Sequence, residues 1–317
     1  MKYIQLFLAS SIVEFEQERN ELSNYIRMLT DISVKRDIYF ELTLCEDLSN
    51  AVAKDRKQEE YNQKIRDSQY FCVLFGRDAG EYTIEEFNVA LEQFHQSGAP
   101  RIYIYFRQLP EGQFASQSVK DFMERLDAEN IYYTVFSHLD AVKLSWLVTL
   151  TQDQGLSSHL KLEDGAAKLD GKPVLDLGNV PIYSKNEELQ KRLVEKQRLD
   201  EEFTNLREAT LKAPEDKELF GRLIDVSLQR NQLSDQIHRM ERSILDLCST
   251  VSKMNASNHS LTWREKKAAQ LLDTGNYQGA LSVLDDVRRQ EEFKQASDML
   301  KKIKLMQAEE ELRNLSM

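Results

Sequence analysis

Two adjacent acids, Glu85 and Glu86, stand at the head of an amphipathic stretch, and their spacing separates them. Glu86 lies beside Phe87 and four residues before Ala90, so it extends the apolar line of Phe87, Ala90, Leu91 and Phe94 by one turn. Glu85 lines up with Asn88, Val89 and Glu92 on a more polar side. A carboxylate on the inward edge of a helix start serves one of two ends. It meets a ligand in the cleft that the helix borders, or it closes a T-x-x-E capping box, Thr83-Ile84-Glu85-Glu86, on its own backbone. One glutamate can do both in turn, capping the free protein and meeting a ligand when one arrives. Metal chemistry has no comparable basis: Cys45, Cys72 and Cys248 are far apart, and no CxxC spacing or His/Cys cluster is present.

The segments around this pair decide where it points. Tyr70 to Phe75 is a nearly continuous apolar run, as expected of a strand buried on both faces of a parallel sheet. Gly76-Arg77-Asp78-Ala79-Gly80 breaks the run with turn residues, and the helical period begins at Thr83. Strand, loop and helix make half of a βαβ unit, whose ligands bind at the carboxyl ends of the strands. The rest of the first half repeats the theme. Strands are expected at Tyr3 to Leu8, Ile38 to Leu44, Arg101 to Phe106 and Tyr132 to Phe136. Helices alternate with them. The first has Ser11 as its N-cap and Phe15, Leu22, Ile26 and Leu29 on its buried line, where Arg19 also falls, either snorkelling or, as the favoured reading, paired with an acid beneath it. Polar residues 48 to 68, Val119 to Leu126 and Leu139 to Leu150 supply the others. The pattern predicts an open, doubly wound α/β domain of about five strands over residues 1–152, with right-handed crossovers. Neither a GxGxxG nor a GxxxxGK[ST] fingerprint is present, so ligand phosphates would be held by other means.

Composition sets outer bounds. A chain of 317 residues suggests two domains, and its net charge of −11 argues against a general nucleic-acid binder, which needs a basic face. The sparse cysteines suit a reducing, cytoplasmic setting. The opening run MKYIQLFLASSIVEF resembles a secretory signal in outline, but Glu14, Glu16 and Glu18 follow it directly in helical register. No segment approaches the roughly 20 apolar residues of a membrane span, so no membrane partner is expected.

Several short stretches carry a family resemblance. They are Phe7-Leu8-Ala9-Ser10-Ser11, Glu18-Arg19-Asn20-Glu21-Leu22, residues 58–65 (QEEYNQKI) and residues 82–90 (YTIEEFNVA). Together they resemble the divergent TIR-like domains of bacterial multidomain proteins, and E-F-x-x-A at Glu86 to Ala90 is the most specific part. The Trp-Cys pair usual in that helix is replaced here by Tyr82 and Thr83. The resemblance implies a flavodoxin-like TIR-type fold and makes Glu86 the counterpart of the catalytic glutamate of NAD glycohydrolysis. NAD would then be a substrate, and no cofactor is implied. In supporting roles, Ser10 and Ser11 would donate to phosphate or ribose, Arg77 would meet the diphosphate, and Tyr82 would stack on nicotinamide. Each has a plainer alternative: helix capping for the serines, a solvated loop for Arg77, a cover over the loop for Tyr82. Glu46 is a further acid at a strand end.

Beyond the first domain the style changes. Residues 153–185 read as a linker carrying a β-hairpin turned at Asp170-Gly171, ended by Pro181. Residues 186–317 read as helical. Asn186 is expected to cap a helix running to about Lys212, and Pro214 to start a second. In the second, Leu219, Leu223, Val226, Leu233, Ile237, Met240, Ile244, Leu247, Val251 and Met254 form a heptad seam interrupted at Arg230. An intramolecular partner at residues 187–212 is the economical reading, and self-association the alternative. Residues 268–281 (AAQLLDTGNYQGAL) resemble the core of a tetratricopeptide repeat, which needs neighbours such as the tail Glu291 to Leu315. Three functions remain open: an NAD-hydrolysing effector activated by assembly and serving bacterial defence, as the resemblance implies, a non-enzymatic TIR-like interaction module, or a nucleoside-processing glycosyl-transfer enzyme that also uses a helix-borne glutamate.

Overall fold

A computed structural model describes residues 1–44, 54–253 and 263–284. Cys45, Glu46, Met254 and the tail Glu291 to Leu315 therefore lie outside the described residues. Five strands, β1 (Lys2–Ser10), β2 (Ile38–Leu44), β3 (Tyr70–Phe75), β4 (Arg101–Arg107) and β5 (Thr134–Phe136), form one sheet in the order β2-β1-β3-β4-β5. Every pairing is parallel. This is the flavodoxin-like order, and its switch point lies between β1 and β3.

Strand alternation divides the core in two. Ile4, Leu6 and Leu8 of β1 face α1 (Glu16–Ser33) and α5 (Leu139–Asp153), through Leu22, Ile26, Leu29, Val142 and Trp146. Phe7 and Ala9, with Phe71, Val73 and Phe75 of β3, face the opposite layer. There they meet α2 (Lys54–Asp67), α3 (Glu81–Ser97) and α4 (Gln117–Ala128) through Ile65, Phe87, Ala90, Phe122 and Leu126. All six residues of β3 are buried, because helices cover both faces of it.

The next segment differs from the single hairpin read in the sequence. Strands β6 (Leu160–Glu163), β7 (Ala166–Leu169) and β8 (Lys172–Asp176) form a three-stranded antiparallel sheet. Asp170 and Gly171 have φ of 51° and 75°, and Asp164 and Gly165 have φ of 53° and 79°, so a second Asp-Gly turn builds a second hairpin. Positive φ at both central residues is the turn whose twist matches paired strands.

After a short α6 (Pro181–Ser184), two long helices pair closely, α7 (Glu187–Lys212) and α8 (Lys217–Ser252). Asn186 caps α7 by accepting from the Leu189 N–H at 3.2 Å. Helix α8 starts at Lys217, capped by Asp216, with Pro214 left in the connecting turn. The seam of α8 divides between two partners. Its first part, Leu219, Leu223 and Val226, packs on Leu199, Phe203 and Leu206 of α7. Its later part, Ile237, Ile244 and Leu247, enters the main core with α5 and the antiparallel sheet. Arg230 interrupts the seam at little cost, since it pairs with Asp200 at 2.8 Å and lies over the Phe203 ring at 4.6 Å. Helix α9 (Trp263–Asp273) is followed by helical residues 277–284, whose start Asn276 caps through the Gly279 N–H at 2.9 Å. No helix among the described residues is long and apolar enough to cross a membrane.

Candidate functional site

The switch point gathers the chemistry. Ser10 ends β1 and lies in register with Leu74 of β3, so Gly76 and Arg77 project just beyond it at the carboxyl edge. The Ser10 Oγ accepts from Arg19 Nη1 at 2.7 Å, and the Ser10 carbonyl accepts from the same nitrogen at 3.3 Å. Arg19 is 1% exposed, so a full positive charge is held beneath the edge of the sheet. Glu86 feels that charge. Burial pushes the Glu86 carboxyl up, Arg19 pulls it down and Glu85 pushes it up again, and the result is a pKa of about 7.

Local structure explains how Glu86 came to be buried. Helix α3 begins at Glu81 after Gly80, without a side-chain cap, so Thr83 lies inside the first turn. The capping box therefore does not form. Thr83 and Glu86 both turn inward, at 7% exposure each, while Glu85 faces solvent. Among the described residues no hydrogen bond or ion pair ends on the Glu86 carboxylate. A buried, unpartnered carboxylate with a nearby cation is unusual, since burial of a charge ordinarily demands a partner.

The other expected residues are distributed unevenly. Ser10 reaches the site but spends its oxygen on Arg19. Ser11 accepts from the Glu14 N–H at 3.3 Å, within a turn that precedes α1, so it caps that turn and not the helix. The Arg77 side chain is exposed, while its N–H donates to Glu14 Oε1 at 2.6 Å. Tyr82 is 68% exposed on the first turn of α3 and does not cover the loop. Arg19 donates to Ser10 and lowers the pKa of Glu86 by its charge.

Comparison of the chain with protein-family models, with curated proteins and with solved structures finds no match. The site must therefore be understood from its own geometry.

Three glutamates not expected at the site complete that geometry. Glu18 and Glu21, three residues apart, share one side of α1, and Glu14 lies in the turn just before it. Glu14 binds the Arg77 N–H beyond β3, Glu18 pairs with Arg107 at the end of β4, and Glu21 pairs with Lys143 of α5 at 3.1 Å. Lys143 also holds Asp140 at 3.0 Å, and Arg107 lies over the Phe15 ring at 4.1 Å. The row thus tethers the α1 start across the carboxyl edge from β3 to α5. Its spacing was visible in the sequence, but a backbone N–H leaves no signal there. A separate cavity of about 80 Å³ lies on the other face of the sheet, among Tyr105, Phe136, Ser145, Ile182 and Cys248. Among the described residues no charged side chain lines it. Among the described residues no His/Cys/Asp/Glu group could hold a metal ion.

Proposed function

We propose that this chain is a TIR-like enzyme that hydrolyses the bond between nicotinamide and ribose in NAD or a related nucleotide, with Glu86 as its catalytic residue. The observation that supports this most is the buried, unpartnered Glu86 carboxyl at the switch point, poised near neutrality by burial against Arg19. The reaction suits one carboxylate. Nicotinamide is cationic within NAD and leaves neutral, so no general acid is needed. The ribosyl group left behind has oxocarbenium character, and a carboxylate stabilises it and orients its hydroxyls until water adds. Ordinary glycosidases need a carboxyl pair because their leaving groups must be protonated.

Incubation of the full chain with NAD at high protein concentration, followed by nicotinamide detection, tests this reading. Wild-type protein and Glu85→Gln release nicotinamide, whereas Glu86→Gln releases none. Equal release by wild type and Glu86→Gln rejects the assignment, as does the absence of release from wild type at every concentration.

A second reading, a non-enzymatic interaction module, draws on a different observation. Phe220, Ile224 and Leu228 follow one another at four-residue spacing on α8 and are 53%, 46% and 55% exposed. Such a stripe suits self-association or a protein partner. It also fits the enzyme, in which assembly in a bacterial defence response would bring copies together and complete the clamp around substrate.

A further inference from the structure

Gly76 is buried and has an ordinary backbone conformation, so freedom of φ does not explain a glycine there. Space does. A Cβ at Gly76 would lie 1.9 Å from Glu14 Oε1, and its three nearest atoms all belong to the Glu14 carboxylate. That carboxylate also accepts the Arg77 N–H at 2.6 Å. The turn after β3 therefore presents a bare Cα and an outward N–H to an anion, and the anion present belongs to the chain itself. The turn lies at the switch point, where ligands of such sheets bind. Glu86 supplies an independent sign of a ligand there: it is 7% exposed, accepts no hydrogen bond among the described residues, and turns inward in the first turns of α3, the helix that this loop leads into.

We propose that the Gly76–Arg77 turn is an anion subsite for the phosphate of a nucleotide, and that Glu14 occupies it in the free protein. The choice of a nucleotide phosphate rests on the glycosidic reading of Glu86, whereas the anion subsite itself does not. Glu14 is a tethered competitor. The ligand binds only the fraction of molecules in which Glu14 has swung away, so apparent affinity is reduced by that fraction. Displacement also takes the Glu14 carboxylate off the Arg77 N–H and leaves the exposed Arg77 side chain beside the incoming charge. Because Glu14 opens the row that continues through Glu18 and Glu21, its release loosens the first tether of the α1 start.

Inorganic pyrophosphate is the probe, measured by calorimetry on the full chain at fixed ionic strength. Glu14→Ala binds it at least tenfold more tightly than wild type. Adding Gly76→Ala to that variant places a methyl group where the anion would sit, with the clashing Glu14 atoms already gone, and returns binding to the wild-type level or below. Glu14→Gln, which keeps shape and loses charge, gives an intermediate gain and serves if the alanine variant does not fold. Overturning results are equal binding by wild type and the Glu14 variants, or undiminished binding in the double variant, which would place the anion elsewhere. The two readings separate cleanly. Nicotinamide release without the pyrophosphate pattern removes the subsite and keeps the enzyme. The pyrophosphate pattern without nicotinamide release does the reverse.

Discussion

Arg19 and Ser10 are joined at 2.7 Å beneath the carboxyl edge of the sheet, and this contact fixes the charge that answers Glu86. The guanidinium is wholly enclosed, so neither partner exchanges its hydrogen bond for water. Loss of Arg19 therefore acts at two levels. Arg19→Met fills similar space, costs about 1–3 kcal/mol through the unsatisfied groups around Ser10, and lets burial raise the Glu86 carboxyl further above 7. Nicotinamide release by that variant, plotted against pH, should rise only at higher pH than in wild type. A profile unmoved along the pH axis would detach Arg19 from Glu86.

Folding stability offers a second measure of the same carboxyl. Glu86 has a folded-state pKa of about 7 against an ordinary 4.5. Between those values the unfolded chain releases its proton while the folded chain keeps it, so stability falls as pH rises. The penalty is absent below pH 4.5 and complete above about 7, on the order of 3 kcal/mol for a shift of this size. Glu86→Gln should accordingly stabilise the protein at pH 8 and leave it nearly unchanged at pH 4.5. Glu241 behaves in the same sense for a different reason. Its carboxyl is raised to about 7, mainly by burial, although Tyr183 donates to it at 2.8 Å; among the described residues its second oxygen has no hydrogen-bond partner. Glu241→Gln should show the same pH-dependent gain without affecting NAD turnover. Denaturant titrations at the two pH values read both effects, and a gain of equal size at both would contradict the assigned titrations.

The parts of this arrangement that the sequence revealed are those with local causes. Residues 70–75 form a strand because every side chain is apolar, and the change to helical period after Gly80 marks α3. The inward side of Glu86 was equally legible from its place beside Phe87. The failure of the capping box was not, because the motif at Thr83 is local while the helix is capped three residues earlier, at Gly80, which puts Thr83 inside the first turn. The seam of α8 had the right period, yet periodicity names no partner, and the same stripe serves α7 at one end and α5 at the other. Glu14 was hidden for a deeper reason: it binds an N–H 63 residues away, and any residue but proline offers one.

The outer face of α8 gives the last prediction. Phe220, Ile224 and Leu228 are exposed, while Leu219, Leu223 and Val226 on the neighbouring side of the helix are engaged with α7. A charge placed on the outer stripe therefore leaves the hairpin core intact and alters only what approaches from outside. A single carboxylate gives little catalysis unless the substrate is clamped and water is excluded, and a neighbouring copy is the simplest source of that clamp. NAD turnover per molecule should then rise with protein concentration in wild type. Ile224→Glu should flatten that dependence and keep the protein monomeric in sedimentation, with thermal stability changed by no more than about 0.5 kcal/mol, as for other surface substitutions. Val194→Glu, at an exposed apolar position on α7, controls for added charge and should retain the rise. An Ile224→Glu protein that associates and gains turnover as wild type does would show that copies meet elsewhere. A wild type that associates without gaining turnover would separate assembly from catalysis and favour the interaction module.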